Sequence, residues 1–143
     1  MSRRPGAARA PVEIARLSLT VHYRRPLETA RWLATAVDFQ TPGPWPDPDA
    51  DPQHLWIEFR VGDAVLVVTA PRTPAPDHAL QDSPHLPWIY VVDLDAHYAR
   101  ARQHGARIIE DIHQRGYRAY VAQDPEGGRW CFAQARPTMA PAR

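Results

Sequence analysis

His22 and Glu58 are the residues best suited to proton transfer, because both fall on strand positions pointing to the same side of a sheet. An imidazole beside a carboxylate can serve as general acid and base, the carboxylate orienting the ring or tuning its proton affinity. The same pair can orient a bound molecule or hold structure together, and those roles are commoner than catalysis. Cys131, the single cysteine, could act as a nucleophile if a neighbouring base lowered its pKa. No such base is evident in the sequence, and a buried inert thiol is the commoner case. Trp56, Trp88 and Tyr90, with Arg118 and Tyr120, are placed on the same side as His22 and Glu58. They suit stacking and hydrogen bonding to a small aromatic molecule.

The elements that position these residues follow from local pattern. Arg16–Tyr23 alternates Leu17, Leu19, Val21 and Tyr23 against Ser18, Thr20 and His22, the period of a strand with one apolar face. Pro26–Val37 reads as a helix with proline in its first turn, where the missing N–H costs nothing. Gln40–Gln53 carries Pro42, Pro44, Pro46, Pro48 and Pro52 and must be a loop or an irregular edge strand. Leu55–Val61 and Ala64–Thr69 form a hairpin about Gly62-Asp63. A proline-rich linker leads to the strand Pro87–Val92. Asp93-Leu94-Asp95 then caps a helix, Ala96–His104, which stops at Gly105. Strands at Arg107–Glu110, Gly116–Gln123 and Arg129–Gln134 follow, the last two joined by Asp124-Pro125-Glu126-Gly127-Gly128. Gly127 and Gly128 are expected to supply positive φ.

The order strand, helix, strand, strand, strand occurs twice. It predicts an α+β domain of two βαβββ modules forming a curved, cleft-enclosing mixed sheet, over residues 14–136. Module 1 is 14–71, the linker 72–86 and module 2 87–136, with flexible tails at 1–13 and 137–143. Pairing across Gly62-Asp63 sets Glu58 beside Val67 and Trp56 beside Thr69. Pairing across Asp124–Gly127 sets Tyr120 beside Cys131 and Arg118 beside Ala133. One sheet face then holds Ser18, Thr20, His22, Trp56, Glu58, Trp88, Tyr90, Arg118, Tyr120 and Cys131. The opposite face, with Ile57, Phe59, Leu66, Val68, Val121, Trp130 and Phe132, carries the helices. Trp45 in the proline-rich loop is either a lid or an anchor.

Composition narrows the function classes. A formal net charge of +1 over 143 residues points to neither nucleic acid nor membrane as partner. The basic side chains counted are all arginine, which a GC-rich genome explains along with the abundance of alanine and proline. One cysteine excludes an internal disulfide and fits a cytoplasmic protein. No apolar run is long enough to span a bilayer, and no signal-peptide core is visible.

The phrase from Tyr90-Val91-Val92-Asp93-Leu94-Asp95 through Ala101, then Gly105-Ala106, then Asp124-Pro125-Glu126-Gly127-Gly128-Arg129-Trp130, resembles the second module of glyoxalase/bleomycin-resistance proteins, the vicinal oxygen chelate superfamily. That resemblance implies the paired-module fold over most of the chain. It does not fix function, since such proteins include lyases, isomerases, dioxygenases, thiol transferases and drug-binding proteins. In metal-using branches, the ligand positions carried over by register fall at Ser18, Val67, Leu86 and Cys131, a set unable to hold a divalent ion. His22, Glu58 and His85 remain a conceivable relocated set. The expectation is a protein without metal or cofactor that binds a small, aromatic metabolite or drug. The resemblance further implies a homodimer with its ligand groove at the subunit boundary. The alternative is an enzyme acting on a natural-product intermediate: a lyase or isomerase using His22 and Glu58, or a metal-dependent lyase or dioxygenase.

Overall fold

The computed structural model describes residues 17–71 and 83–134. The tails and most of the linker read from the sequence lie outside these residues. Strand β1 (Ser18–His22) leads into helix α1 (Pro26–Ala36), a single 3-10 turn at Pro52–His54, and strands β2 (Trp56–Val61) and β3 (Ala64–Thr69). The second half supplies β4 (Trp88–Tyr90), α2 (Leu94–Gln103), β5 (Arg107–Gln114), β6 (Arg118–Gln123) and β7 (Arg129–Ala133). The architecture is α+β, with two mixed sheets of order β1-β3-β2 and β4-β7-β6-β5 that do not close on themselves. In each sheet the first strand runs parallel to the last strand of its module, and the remaining pairs are antiparallel.

The repeat is imperfect. In module 1 the strand equivalent to β5 is reduced to one bridge between Gln40 and Arg60. The run of prolines after Gln40 removes the donors a ladder needs. Trp45 anchors that loop rather than standing free: its ring meets Phe59 edge-on at 6.2 Å, with the Arg31 guanidinium 5.0 Å above it.

One core joins both halves. Ala30, Leu33 and Ala36 of α1 and Leu94 and Ala101 of α2 pack with Ile57, Phe59, Leu66 and Val68 of the first sheet. Tyr120, Ala122, Trp130 and Phe132 of the second sheet complete it. Helix α1 buries Thr29, Ala30, Leu33 and Ala36 at helical spacing. It ends where Asp38 takes φ 62° and the Phe39 N–H donates to the Leu33 carbonyl. Helix α2 is capped by Asp93, which accepts from the Ala96 N–H at 3.1 Å, and closes at Gly105 with φ 77°.

The register of the first hairpin is the expected one, Trp56 opposite Thr69 and Glu58 opposite Val67. That of the last hairpin is displaced by one residue: Tyr120 lies opposite Phe132, and Val121 opposite Cys131. The cause is the turn. Asp124 Oδ1 accepts from the Glu126 and Gly128 N–H groups, and the Asp124 N–H donates to the Gly128 carbonyl. Gly128 is therefore inside the turn, which becomes one residue longer than expected. A one-residue displacement turns every β6 side chain to the other face. Arg118 and Tyr120 belong to the helix side, and Ala119 and Val121 to the open side. Of the two glycines, Gly127 takes positive φ, at 95°, and Gly128 does not. Gly128 is required for space: a Cβ there would lie 2.4 Å from Asp124 Oδ2.

Candidate functional site

The open face of the first sheet is a grid of nine side chains fixed by register. His22, Thr69 and Trp56 form one row; Thr20, Val67 and Glu58 the next; Ser18, Val65 and Arg60 the third. The floor at Val67 is buried. Trp56 stands at the corner, 62% exposed, an unusual state for a tryptophan. Its indole N–H donates to Glu58 Oε1 at 2.9 Å. Residues two apart on a strand share a face, so this bond holds the ring along β2 and over the sheet.

His22 and Glu58 do share the open face, as expected, but they are not neighbours. Strand β3 lies between them, with Thr69 and Val67 in the intervening positions. Two strand spacings amount to about 10 Å, too far for a direct hydrogen bond, and Glu58 is bonded to Trp56. His22 instead faces a cleft of about 960 Å³ that it shares with His85, Arg129 and Glu28. Thr20 and His22 belong to both the grid and this cleft, making them continuous. The Arg129 guanidinium is tethered to the Ser83 carbonyl at 3.3 Å. Two carboxylates in the cleft wall have structural partners. Asp124 accepts from the Tyr23 hydroxyl at 2.6 Å and the Trp130 indole at 3.0 Å. Glu126 accepts from the Arg24 and Arg25 N–H groups at 2.7 and 2.8 Å and from the Thr29 hydroxyl at 3.0 Å. Burial nevertheless pushes the Asp124 carboxyl above its ordinary range, against the pull of those bonds.

The open face of the second sheet differs. Ala119, Val121, Cys131 and Ala133 form a floor of small side chains, and Trp88 packs on it. Trp88 meets Tyr117 edge-on at 5.4 Å, and its buried indole N–H has no hydrogen-bond partner among the described residues. Trp88, packed on this floor beside Cys131, is the lesser influence on the thiol and lowers its pKa. Burial, the larger effect, and the Glu110 carboxylate raise it. This cysteine is a buried thiol held protonated, the opposite of an activated nucleophile. Tyr90, on the same face as Trp88, is 43% exposed.

Arg118 and Tyr120 lie on the helix side of the sheet, not on the open face expected for them. Arg118 pairs with Asp95 of α2 through two hydrogen bonds, at 2.9 and 3.1 Å. Tyr120 is fully buried against Phe132, its hydroxyl bonded to His97 Nδ1. His97 also reaches the Val37 carbonyl through Nε2 at 3.1 Å, tying α2 to the end of α1. Burial lowers its pKa. Neither His97 nor the Asp124–Glu126 cluster stood out in the sequence as functional. The Asp-Pro-Glu-Gly-Gly turn was a signal for the latter; nothing local marks His97.

The inherited metal positions do not fit a metal. The pairings Thr20–Val67 and Trp88–Cys131 make Ser18 equivalent to Leu86 and Val67 to Cys131. A hydroxyl, two aliphatic side chains and a protonated buried thiol are no donor set for a hard or borderline cation. His22 and His85 both line the cleft, Glu58 does not, and among the described residues no three His, Cys, Asp or Glu side chains are grouped so as to hold a metal ion.

With this geometry the relationship to known proteins is direct. Residues 23–132 match the model of the Glyoxalase/Bleomycin resistance protein/Dioxygenase superfamily, and the chain belongs to that superfamily. Its fold resembles that of TioX from Micromonospora sp. ML1, with 21% identity and a TM-score of 0.65 over 82% of this chain and 96% of that one. It also resembles TnmS3, an antibiotic binding protein from Streptomyces sp. CB03234, with 17% identity and a TM-score of 0.62 over 88% and 96% of the two chains. A third neighbour is a glyoxalase/bleomycin resistance protein/dioxygenase family enzyme from Burkholderia phytofirmans PsJN, with 13% identity and a TM-score of 0.62 over 81% and 94%. At these identities the likeness is one of fold. No curated protein matches the chain. No described helix is long and apolar enough to cross a membrane.

Proposed function

We propose that this protein binds a flat, aromatic small molecule without a metal and holds it unchanged, as a cytoplasmic homodimer. The observation that carries this reading is Trp56: a large aromatic ring exposed on an open sheet face, with a carboxylate fixing its orientation. A ring that the fold orients but does not cover is suited to stacking on a ligand. Tyr90 and Trp88 offer further aromatic surface on the second sheet, and Thr20 and His22 supply polar groups where the grid meets the cleft. Arg118 and Tyr120 take no part, since their side chains are engaged on the helix side. The family includes both enzymes and binding proteins, and the antibiotic-binding neighbour TnmS3 supports the binding reading. The separation of His22 from Glu58 favours it over acid–base catalysis by that pair.

The test follows affinity and conversion together. Quinoline is titrated into chelator-treated wild type and Trp56→Ala, and the recovered ligand is assayed by mass spectrometry after long incubation. Saturable binding without metal, a loss of about 1–3 kcal/mol in Trp56→Ala and unchanged quinoline are expected. Binding that requires an added metal, or an affinity indifferent to Trp56, would overturn the reading. Sedimentation at micromolar concentration checks the dimer.

A further inference from the structure

We infer that the open face of the first sheet selects aromatic ligands carrying a positive charge, such as a quaternised or protonated heterocycle or an aromatic amine. This rests on the proposed binding of an aromatic molecule and names its class. The argument starts from what surrounds the exposed Trp56 ring. Indole offers the strongest aromatic face for a cation. The ring's N–H donates to a carboxylate, Glu58 Oε1, at 2.9 Å, a charge-assisted bond that adds electron density to the ring. The Glu58 side chain is itself exposed, and Oε1 receives the indole while Oε2 makes no bond within the described protein. A molecule stacked on Trp56 therefore meets an electron-rich π face and, at its edge, a carboxylate with accepting capacity to spare.

The other positions of the grid do not cancel this. Thr20, Ser18 and Thr69 are neutral hydroxyls, and Val65 and Val67 are apolar. Among the described residues, Arg60 is the one arginine on the face, two residues beyond Glu58 and on the far side of it from Trp56, and it forms no ion pair with Glu58. His22 lies two strands away from the ring, beyond Thr69. Glu58 thus takes a role other than proton transfer: it positions the stacking ring and sets the sign of charge the face accepts.

Three probes of similar size separate the possibilities: N-methylquinolinium, quinoline and naphthoate, titrated at neutral pH and low salt. Wild type is expected to bind the cation about tenfold more tightly than the neutral ring, and naphthoate least. The preference should shrink as salt is added. Glu58→Gln keeps an oxygen to accept the indole N–H and so keeps the ring in place while removing the charge. It should lose the preference for N-methylquinolinium, the ratio of the affinities for the cation and for quinoline falling to about one. Equal binding of all three probes by wild type, or a cation preference that survives Glu58→Gln, overturns the charge selection and leaves aromatic binding standing. Binding of none of the three overturns both.

Discussion

The Tyr23 hydroxyl donates to Asp124 Oδ2 at 2.6 Å, joining the end of β1 to the turn between β6 and β7 across 101 residues. The same carboxylate oxygen receives the Trp130 indole, and Oδ1 receives two N–H groups of its own turn. Two residues on, Glu126 closes over the start of α1. That helix has no side-chain cap from its own N-cap residue, Arg25. The carboxylate of the second module does that work, accepting from the Arg24 and Arg25 N–H groups and the Thr29 hydroxyl. The turn is thus a latch between modules, holding β1, and with it His22 and Thr20, against the second half.

Tyr23→Phe should lower unfolding free energy by about 1–3 kcal/mol, since Asp124 is left buried with one fewer donor. Its pH signature is on the alkaline side. Burial, with the nearby charges of Asp124 and Glu126, holds the Tyr23 phenol far above its ordinary value of 10.0. The unfolded chain releases that proton near pH 10.0 and the folded one does not, so the group's stabilisation is complete below that pH and lost as pH rises above it. Urea titrations of wild type and Tyr23→Phe from neutral to alkaline pH should converge; parallel curves would exclude the phenol as the cause.

Gly128→Ala should be more disruptive than Gly127→Ala. At Gly127 the cost is a positive φ of 95°, which an alanine pays as strain of about 1–2 kcal/mol. At Gly128 the added carbon meets Asp124 Oδ2 at 2.4 Å, a distance that forces the carboxylate out of the latch. The expected loss is that of the Tyr23 and Trp130 hydrogen bonds to the displaced carboxylate, and thermal unfolding should place Gly128→Ala below Gly127→Ala.

The parts of this fold visible in the sequence are those governed by local pattern. The alternation of β2 and β3 about a two-residue turn gives their pairing, and with it the placing of Trp56 and Glu58 on one face. The same counting fails at β6 and β7 because a side chain, Asp124, decides which residues belong to the turn. Arg118 and Tyr120 lie on the helix side rather than the expected open side for that reason. His22 and Glu58 lie on the face expected, but alternation says nothing of strand order, and it is β3 standing between them that keeps them apart. Glu126 as a helix cap has no local trace, since the helix it caps begins about a hundred residues earlier. Trp88 faced the open side as expected, because its parallel pairing to β7 does not depend on the turn.

His97 gives the acid limb of stability. Burial lowers its pKa from 6.5, against the influences of the Val37 carbonyl and Asp38. The unfolded chain therefore takes up the proton more readily, and the stabilisation present above pH 6.5 is lost as pH falls toward the folded value. His97→Gln, which can still bond to Val37 or Tyr120, should be less stable than wild type at neutral pH and show a shallower loss on acidification. An unchanged slope between pH 7 and 5, within about 0.3 kcal/mol, would assign the acid limb to other groups.

Trp88 and Cys131 allow the second sheet to be probed independently, because this thiol is the single cysteine of the chain. It is buried beneath a ring whose N–H has no partner among the described residues and whose edge contact is to the half-exposed Tyr117. An indole buried without a hydrogen bond sacrifices about 1–3 kcal/mol, so this ring is held less firmly than Trp130, whose N–H is bonded to Asp124. Thiol labelling by dithiodipyridine should therefore be slow in wild type and at least about tenfold faster in Trp88→Ala, the increase that removal of a barrier of about 1.4 kcal/mol produces. Trp88→Leu covers the floor with an apolar side chain that has no N–H to satisfy, and should label nearly as slowly as wild type. A molecule bound against the second sheet would further slow labelling of wild type at saturation. Equal rates in wild type and Trp88→Ala would mean that the thiol is guarded by β5 and Glu110 rather than by the tryptophan, and Trp88 would lose its place in the site.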